Sequence, residues 1–336
     1  MKGLMQFQRM PNGVKPASGI FQRFIENELK DIPYTVVKID DILISGRSNE
    51  EHMKNVDAVL DILERIGATV NKGKCVFYAN EIEYVGFIIN KEGVRTNPQK
   101  IKAVVELPEP TDLKQLQSFL GGINYYSKFM PNMSDIAKPL YSLLEKKTEW
   151  RWSQNEQNAF EELKSLLMKA PVLTLYDPKL PIKVACDASQ YGLGAVISNI
   201  CPNGEEKAIA YASRTLNKHE INYSQIDKEG AAVIFALKKF NQYLLGNKFK
   251  LSVDNKTIRK VFDPSSDISP IAVSRLVRWA IILSQYDYEI EFKPTKDHGN
   301  ADMLSRLPRS VESELPVDNL IYSLQISSLP VSTDDI

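Results

Sequence analysis

Four acidic side chains in the C-terminal half of the sequence stand where strands and helices would aim them at one another. Asp187 ends the apolar run 182–186, which reads as a strand, and Asp254 ends a second such run, 249–253. Glu229 falls on the apolar stripe Ile226, Val233, Ala236 and Phe240 of a long helical pattern. Asp302 opens a short C-terminal segment, 300–307. A carboxylate on a buried helical stripe is expensive unless something pairs with it, whereas a helix start tolerates negative charge. Taken singly, each acid would equally suit a solvated cap or a salt bridge at the edge of a core. Together they describe a divalent-cation site made of hard oxygen donors. Two cations about 3.5–4 Å apart could activate a water and stabilise the leaving oxygen of an in-line phosphodiester displacement. In the front half, Asp40-Asp41 divides two β-branched runs, 36–39 and 42–44. Paired acids at a hairpin tip suit metal-dependent nucleotidyl transfer, although Asp-Asp is also a common turn.

Other metal chemistries are short of residues. Cys75, Cys186 and Cys201 are too dispersed for a zinc cluster and odd in number for a disulfide framework. Histidine occurs only at positions 52, 219 and 298, so a metal site must rest on carboxylates, which favours magnesium or manganese. The net charge is +0, so no overall basicity advertises nucleic acid, though a local stripe of Lys and Arg suffices to hold phosphates. No apolar run is long enough to span a bilayer and the start lacks a signal-peptide plan, so the expectation is an intracellular protein. A length of 336 residues with 43% apolar and 25% charged content suits about two globular domains.

The elements that must position these acids follow from pattern. The start reads as a strand over 2–10, a turn at Pro11-Asn12-Gly13, a helix over 17–29 and a β-rich run over 34–44. An amphipathic helix spans 49–66, and short strands are expected around 75–78 and 83–89. Asn97 and Pro98 cap a helix that Pro108 and Pro110 end; a second begins near Asp112, and Ser153 with Glu156 forms a capping box ahead of a third over 157–169. Strand patterns return over 180–216. A long helix over 224–245, a strand over 248–253, a helix near 272–285 and a strand over 288–293 complete the series. The acidic, Ser-rich tail after Pro308 reads as a linker.

Several blocks carry a resemblance. They are Ala185-Cys186-Asp187-Ala188-Ser189 with Tyr191-Gly192-Leu193-Gly194-Ala195-Val196, then Ala210-Tyr211-Ala212-Ser213-Arg214-Thr215-Leu216, and Lys228-Glu229. Phe240-Asn241-Gln242-Tyr243-Leu244, Val253-Asp254-Asn255-Lys256 and Asn300-Ala301-Asp302-Met303-Leu304-Ser305-Arg306-Leu307 continue the series. In order and spacing these resemble the ribonuclease H domain of gypsy-type LTR retrotransposons. Phe7-Gln8-Arg9-Met10-Pro11, Ile39-Asp40-Asp41-Ile42-Leu43, Asn71-Lys72-Gly73-Lys74-Cys75 and Tyr84-Val85-Gly86-Phe87 resemble the palm of the same elements' reverse transcriptase. Ser118-Phe119-Leu120-Gly121-Gly122 and Phe129-Met130-Pro131-Asn132 resemble its thumb and connection.

The resemblance implies a mixed α/β and α+β architecture. A partial reverse-transcriptase palm occupies 1–95, a helical thumb and connection 96–170, and a ribonuclease H-like domain with a five-stranded mixed sheet 171–309. The tail 310–336 would be a linker toward a downstream domain such as an integrase. By resemblance Asp187, Glu229, Asp254 and Asp302 hold two Mg2+ or Mn2+ ions, His298 helps relay protons, and Asp40 with Asp41 belong to the polymerase centre. The implied partners are an RNA–DNA hybrid and a primer–template, with no membrane. The implied activity is endonucleolytic cleavage of RNA in the hybrid, selected by duplex shape and 2′-hydroxyl contacts. The pattern departs from the family at Lys38, where a tyrosine is usual, at Asn12, where a bulky residue is usual, and at Asn255, where histidine is usual. The family's third polymerase aspartate would precede Met1, so RNA-directed DNA polymerase activity is expected to be lost or incomplete. A non-enzymatic nucleic-acid-binding module, domesticated or decaying, is the alternative. Lys100, Lys102, Lys114, Lys128, Lys138, Lys146 and Lys147 could meet phosphates, and Tyr125, Tyr126, Trp150 and Trp152 could stack on bases. Solvated faces and core packing are their competing roles.

Overall fold

The computed structural model describes residues 10, 13–145, 148–264 and 274–292. The expected strand over 2–10 (save Met10), Pro11-Asn12, Lys146, Lys147, His298, the segment 300–307 with Asp302, and the tail lie outside these residues. The chain forms two compact units, one reaching to Lys91 and the other beginning at Glu92.

In the first unit, helix α1 (Ala17–Leu29) matches its expected span, and strands β1 (Thr35–Lys38) and β2 (Asp41–Ile44) pair as an antiparallel hairpin. Helix α2 (Asn49–Arg65) starts where the Ser48 hydroxyl accepts from the Glu51 amide, with Glu50 and Glu51 complementing its dipole. Its apolar stripe, Val59 and Leu63, packs with Ile25, Leu29 and Val37 into a small core. The strand expected at 75–78 does not form. A 3-10 turn (Lys72–Lys74) leads into irregular backbone whose Val76, Phe77 and Tyr78 are exposed, so β-type residues there find no sheet to join among the described residues. The strand expected over 83–89 is instead a hairpin, β3 (Glu81–Tyr84) and β4 (Phe87–Asn90). Val85 and Gly86 both take positive φ at its tip, the conformation that tight hairpins require.

The second unit opens with strand β5 (Gly93–Thr96), where Val94 and Leu173 exchange backbone hydrogen bonds. Helix α3 (Pro98–Val105) has Asn97 accepting from the Gln99 amide, and α4 (Leu113–Tyr125) has Asp112 accepting from Gln115, as the cap residues predict. Short helices α5 (Met133–Ile136) and α6 (Lys138–Ser142) precede α7 (Gln154–Met168), which carries the full Ser153–Glu156 capping box. Phe119, Phe129, Phe160 and Leu163 are almost fully buried among these helices. Each such side chain contributes about 1.5–3 kcal/mol of hydrophobic stabilisation.

A five-stranded mixed sheet follows, in the spatial order β10-β9-β6-β7-β8. Strands β6 (Ile182–Ala188), β7 (Gly192–Ile200) and β8 (Glu206–Thr215) form an antiparallel meander. The chain then crosses through α8 (Gln225–Lys239) and α9 (Asn241–Leu244) to β9 (Phe249–Val253), which runs parallel to β6. Helices α10 (Lys256–Phe262) and α11 (Ser274–Leu283) carry it to β10 (Tyr288–Phe292), parallel to β9. Parallel neighbours require such helical crossovers. Val184, Ile197 and Leu251 have no exposed surface, as central strands should.

Candidate nuclease site

The central strand β6 and its parallel neighbour β9 place two of the four acids. Ala185 pairs with Ser252 in register; Asp187 lies two positions further along β6, and Asp254 lies two positions beyond Ser252, just past the end of β9, so continuing the register brings the two acids level. Side chains alternate across a strand, so both belong to one face at the carboxyl ends of adjacent parallel strands, about 4.8 Å apart. Open α/β sheets bind ligands at that edge.

Glu229 arrives from α8. The helix begins at Ser224, whose hydroxyl accepts from the Asp227 amide, and Gln225 in its first turn reaches back to the sheet. The Gln225 Nε2 group donates to the Ala188 carbonyl (3.1 Å) and to Glu229 Oε1 (3.2 Å), tying the helix to the end of β6. Glu229 Oε2 is buried and makes no hydrogen bond. Burial raises the Glu229 carboxyl above its ordinary value, and the charges of Asp254 and Asp187 add to that rise against hydrogen bonds from Gln225 and Asn255. Three carboxylates from β6, α8 and the end of β9 thus share one field. Asp187 also helps burial push the neighbouring Cys186 thiol upward.

This tension suits a divalent cation. A buried, partnerless carboxylate oxygen beside two further acids gains most from a positive charge, and all three donors are hard oxygens. Among the described residues no three acidic, histidine or cysteine side chains close on a point as a full ligand shell would. The proposed fourth ligand, Asp302, and the proposed proton relay, His298, lie outside those residues.

Asn255 follows Asp254 and starts α10, its Oδ1 accepting from the amides of Thr257 (2.7 Å) and Ile258 (3.3 Å). A capping role accounts for asparagine at a position where the resembled family has histidine. Sequence reasoning did not identify Gln225. The available signal was its position four residues before Glu229, one helical turn away on the same face.

Asp40 and Asp41 occupy a different setting. Lys38 pairs with Asp41 in the hairpin, Ile39 takes a positive φ at its tip, and both acids are exposed. The Ile39 amide donates to Gln22 Oε1, and Gln22 Nε2 donates to the Val37 carbonyl (2.9 Å), so α1 holds the turn in shape. The Tyr84 hydroxyl is buried without a hydrogen bond, and burial with the charge of Asp41 raises its ionisation.

The candidate phosphate and base contacts divide. Tyr126 is core, Tyr125 is exposed, and Trp150 stacks on Trp152, whose indole N–H donates to Gln157. Lys102 pairs with Glu106, and the Lys138 ammonium sits 3.1 Å from the Tyr191 ring centre. Burial lowers Lys128 to about 8.

Residues 2–89 match the family described as reverse transcriptase (RNA-dependent DNA polymerase), and residues 152–251 match the RNase H-like domain found in reverse transcriptase. The retrovirus-related Pol polyprotein from transposon 297 of Drosophila melanogaster is 37% identical, over 91% of this chain and 28% of its own length. The transposon Tf2-3 polyprotein of Schizosaccharomyces pombe is 32% identical, over 99% of this chain and 25% of its own length. The chain therefore spans about a quarter of these relatives. Among solved structures, the foamy viral protease–reverse transcriptase in complex with dsDNA aligns at a TM-score of 0.72 and 28% identity, covering 85% of this chain and 60% of that one. The same viral protein with an RNA/DNA hybrid aligns at 0.73 and 26% identity, covering 92% and 42%. With both family matches in order along one chain, and both polyproteins aligned over nearly its whole length, this chain belongs to the LTR-retrotransposon Pol family across its reverse transcriptase and RNase H regions.

Proposed function

We propose that this chain cuts the RNA strand of RNA–DNA hybrids in a divalent-metal-dependent reaction at Asp187, Glu229 and Asp254, joined by Asp302. The observation that carries this reading is the Glu229 carboxylate, half-buried with a partnerless oxygen and raised first by burial and then by two neighbouring acids. Bound Mg2+ or Mn2+ would supply Lewis-acid activation of the phosphodiester and neutralise its leaving oxygen. The chain's own residues would do the positioning. Asp187 and Asp254 present charge from adjacent strand ends, and Gln225 fixes the Glu229 rotamer against the Ala188 carbonyl. His298 would move a proton during product release.

The foamy viral relatives were captured with dsDNA and with an RNA/DNA hybrid, which supports duplex nucleic acid as the partner class. On this reading residues 96–170 serve as a thumb and connection, and 171–309 as the nuclease. RNA-directed DNA polymerase activity is lost or incomplete on this reading, because Lys38 stands beside Asp40 and Asp41 in place of the family's tyrosine.

The test uses the whole chain with a labelled hybrid and magnesium. Cutting of the RNA strand is expected, with loss of at least about 1000-fold in Asp187→Asn, the scale of removing a group the reaction cannot replace. Binding of the hybrid with no metal-dependent cutting would overturn the enzyme reading in favour of a binding module.

A further inference from the structure

One row of the five-stranded sheet crosses three strands at the candidate site. Ser213 of β8 pairs with Gly194 of β7, Gly194 pairs with Asp187 of β6, and Asp254 follows the end of β9, the parallel neighbour of β6. Directly paired residues point to the same face with their Cβ positions about 4.5–5.5 Å apart. Gly194 leaves its place in that row empty, and a residue from the helical region fills it. Asn132 Oδ1 lies 2.8 Å from the point where a Gly194 Cβ would stand. The Asn132 amide therefore sits immediately beside Asp187, on Asp187's face of the sheet.

Three features hold it there. Asn132 takes the left-handed conformation (φ 49, ψ 24) that asparagine tolerates, just before α5. The next turn of chain is anchored on the same row, with the Ser134 amide donating to Ser213 Oγ (3.0 Å). Gly192, two residues along the same face of β7, gives room to Ser134 and Asp135; a Cβ there would stand within contact of both side chains. The Asn132 side chain is exposed, and among the described residues its amide has no hydrogen-bond partner, although its carbonyl accepts from the Asp135 amide. A solvent-facing group carried on an anchored turn, with both a donor and an acceptor, is suited to a hydroxyl, which also offers both.

We propose that Asn132 is a substrate-contact residue of the nuclease site, contributed from outside the RNase H-like region, whose amide recognises a ribose 2′-hydroxyl of the strand lying beside Asp187. This inference deepens the nuclease reading and rests on it. It makes the turn before α5 part of the surface that tells RNA from DNA.

The test compares the wild-type chain with Asn132→Gly, which removes the amide and keeps a residue at ease with the left-handed backbone. Gly194→Ala supplies a second variant, its new methyl group displacing the same amide. Binding is measured without cleavage in calcium, and steady-state cutting in magnesium. The substrates are an all-RNA hybrid and a series of hybrids each carrying one 2′-deoxy position. The expected result for Asn132→Gly is a three- to tenfold rise in Kd and KM, about the worth of one hydrogen bond, with most of the loss in KM and not kcat. At one position of the series, a 2′-deoxy substitution should weaken the wild type by that factor and leave Asn132→Gly indifferent. Gly194→Ala should reproduce the pattern, with thermal melts confirming the fold. Wild-type affinity in Asn132→Gly, or a loss independent of every 2′-hydroxyl, overturns the proposal. A wild-type chain that binds but does not cut, with the same 2′-deoxy pattern in its binding, retains Asn132 as a contact and rejects the nuclease reading alone.

Discussion

Both units carry clustered aspartates, and their supports differ in kind. Asp40 and Asp41 ride on a two-stranded hairpin of four-residue strands, exposed to water, with α1 bracing only the backbone of the turn. Asp187, Glu229 and Asp254 come from a central strand, the end of its parallel neighbour and a helix packed on the central strand, where burial amplifies their mutual repulsion. Water dissipates the charge of the first pair, while the sheet stores the charge of the second group as a standing demand for a cation. Acidic residues alone therefore do not distinguish the two places; the scaffold beneath them does.

The comparison breaks hardest at Asp254. Replacing it by asparagine removes one charge from the shared field and one hard donor, and hybrid cutting should fall by at least about 1000-fold while duplex binding stays within a few-fold. Single-turnover cleavage and equilibrium binding, measured side by side, separate these outcomes. Retained cutting would remove the acid from the site.

Support from packing comes next in size. Gly230 follows Glu229 on α8, and a Cβ there would meet the Trp279 ring of α11 at 2.7 and 2.9 Å. A rigid indole cannot yield as a flexible chain end would, so Gly230→Ala should cost about 1–3 kcal/mol by overpacking. Thermal melting should show a drop of several degrees, with cutting weakened because Glu229 moves with the helix.

Much of this scaffold was legible in sequence, because its signals are local. The Ser48, Asn97, Asp112 and Ser224 caps announce their helices within four residues, and the capping box at Ser153–Glu156 forms as written. What failed depended on distant partners or on backbone sign. The stretch 75–78 has strand-type residues but, among the described residues, no strand to pair with. Helix α10 is too short to display a period. The turn at Val85-Gly86 relies on a positive φ at a β-branched residue, which no residue preference would forecast. For the site, two of the strand ends and the helix face could be named from pattern. The placement of Asn132 over Gly194 could not, because only the folded sheet brings those positions together.

A smaller effect concerns pH. Glu229 has a folded-state value raised above the ordinary 4.5, so its ionisation opposes folding. The stability it permits is fully present below 4.5 and is lost as pH rises through the raised value. Glu229→Gln removes that loss. At pH 7 the variant should melt higher than the wild type, and the gap should close as pH falls below the ordinary glutamate value. Magnesium should raise the wild-type melting temperature more than the variant's, since the cation relieves the same repulsion. Equal melting curves at both pH values would show that the buried oxygen carries no strain.

The smallest expected effect lies in the hairpin. Asp40→Asn with Asp41→Asn alters two exposed side chains, and such surface changes are usually worth within about 0.5 kcal/mol. Hybrid cutting should stay within twofold of wild type and the melting temperature within about a degree. The variant does remove the charge that, after burial, raises the Tyr84 hydroxyl, so tyrosine absorbance followed through an alkaline titration should show that group ionising somewhat earlier. A pronounced fall in cutting would overturn the division drawn between the units, because the exposed pair would then be supporting chemistry that the geometry assigns to the sheet alone.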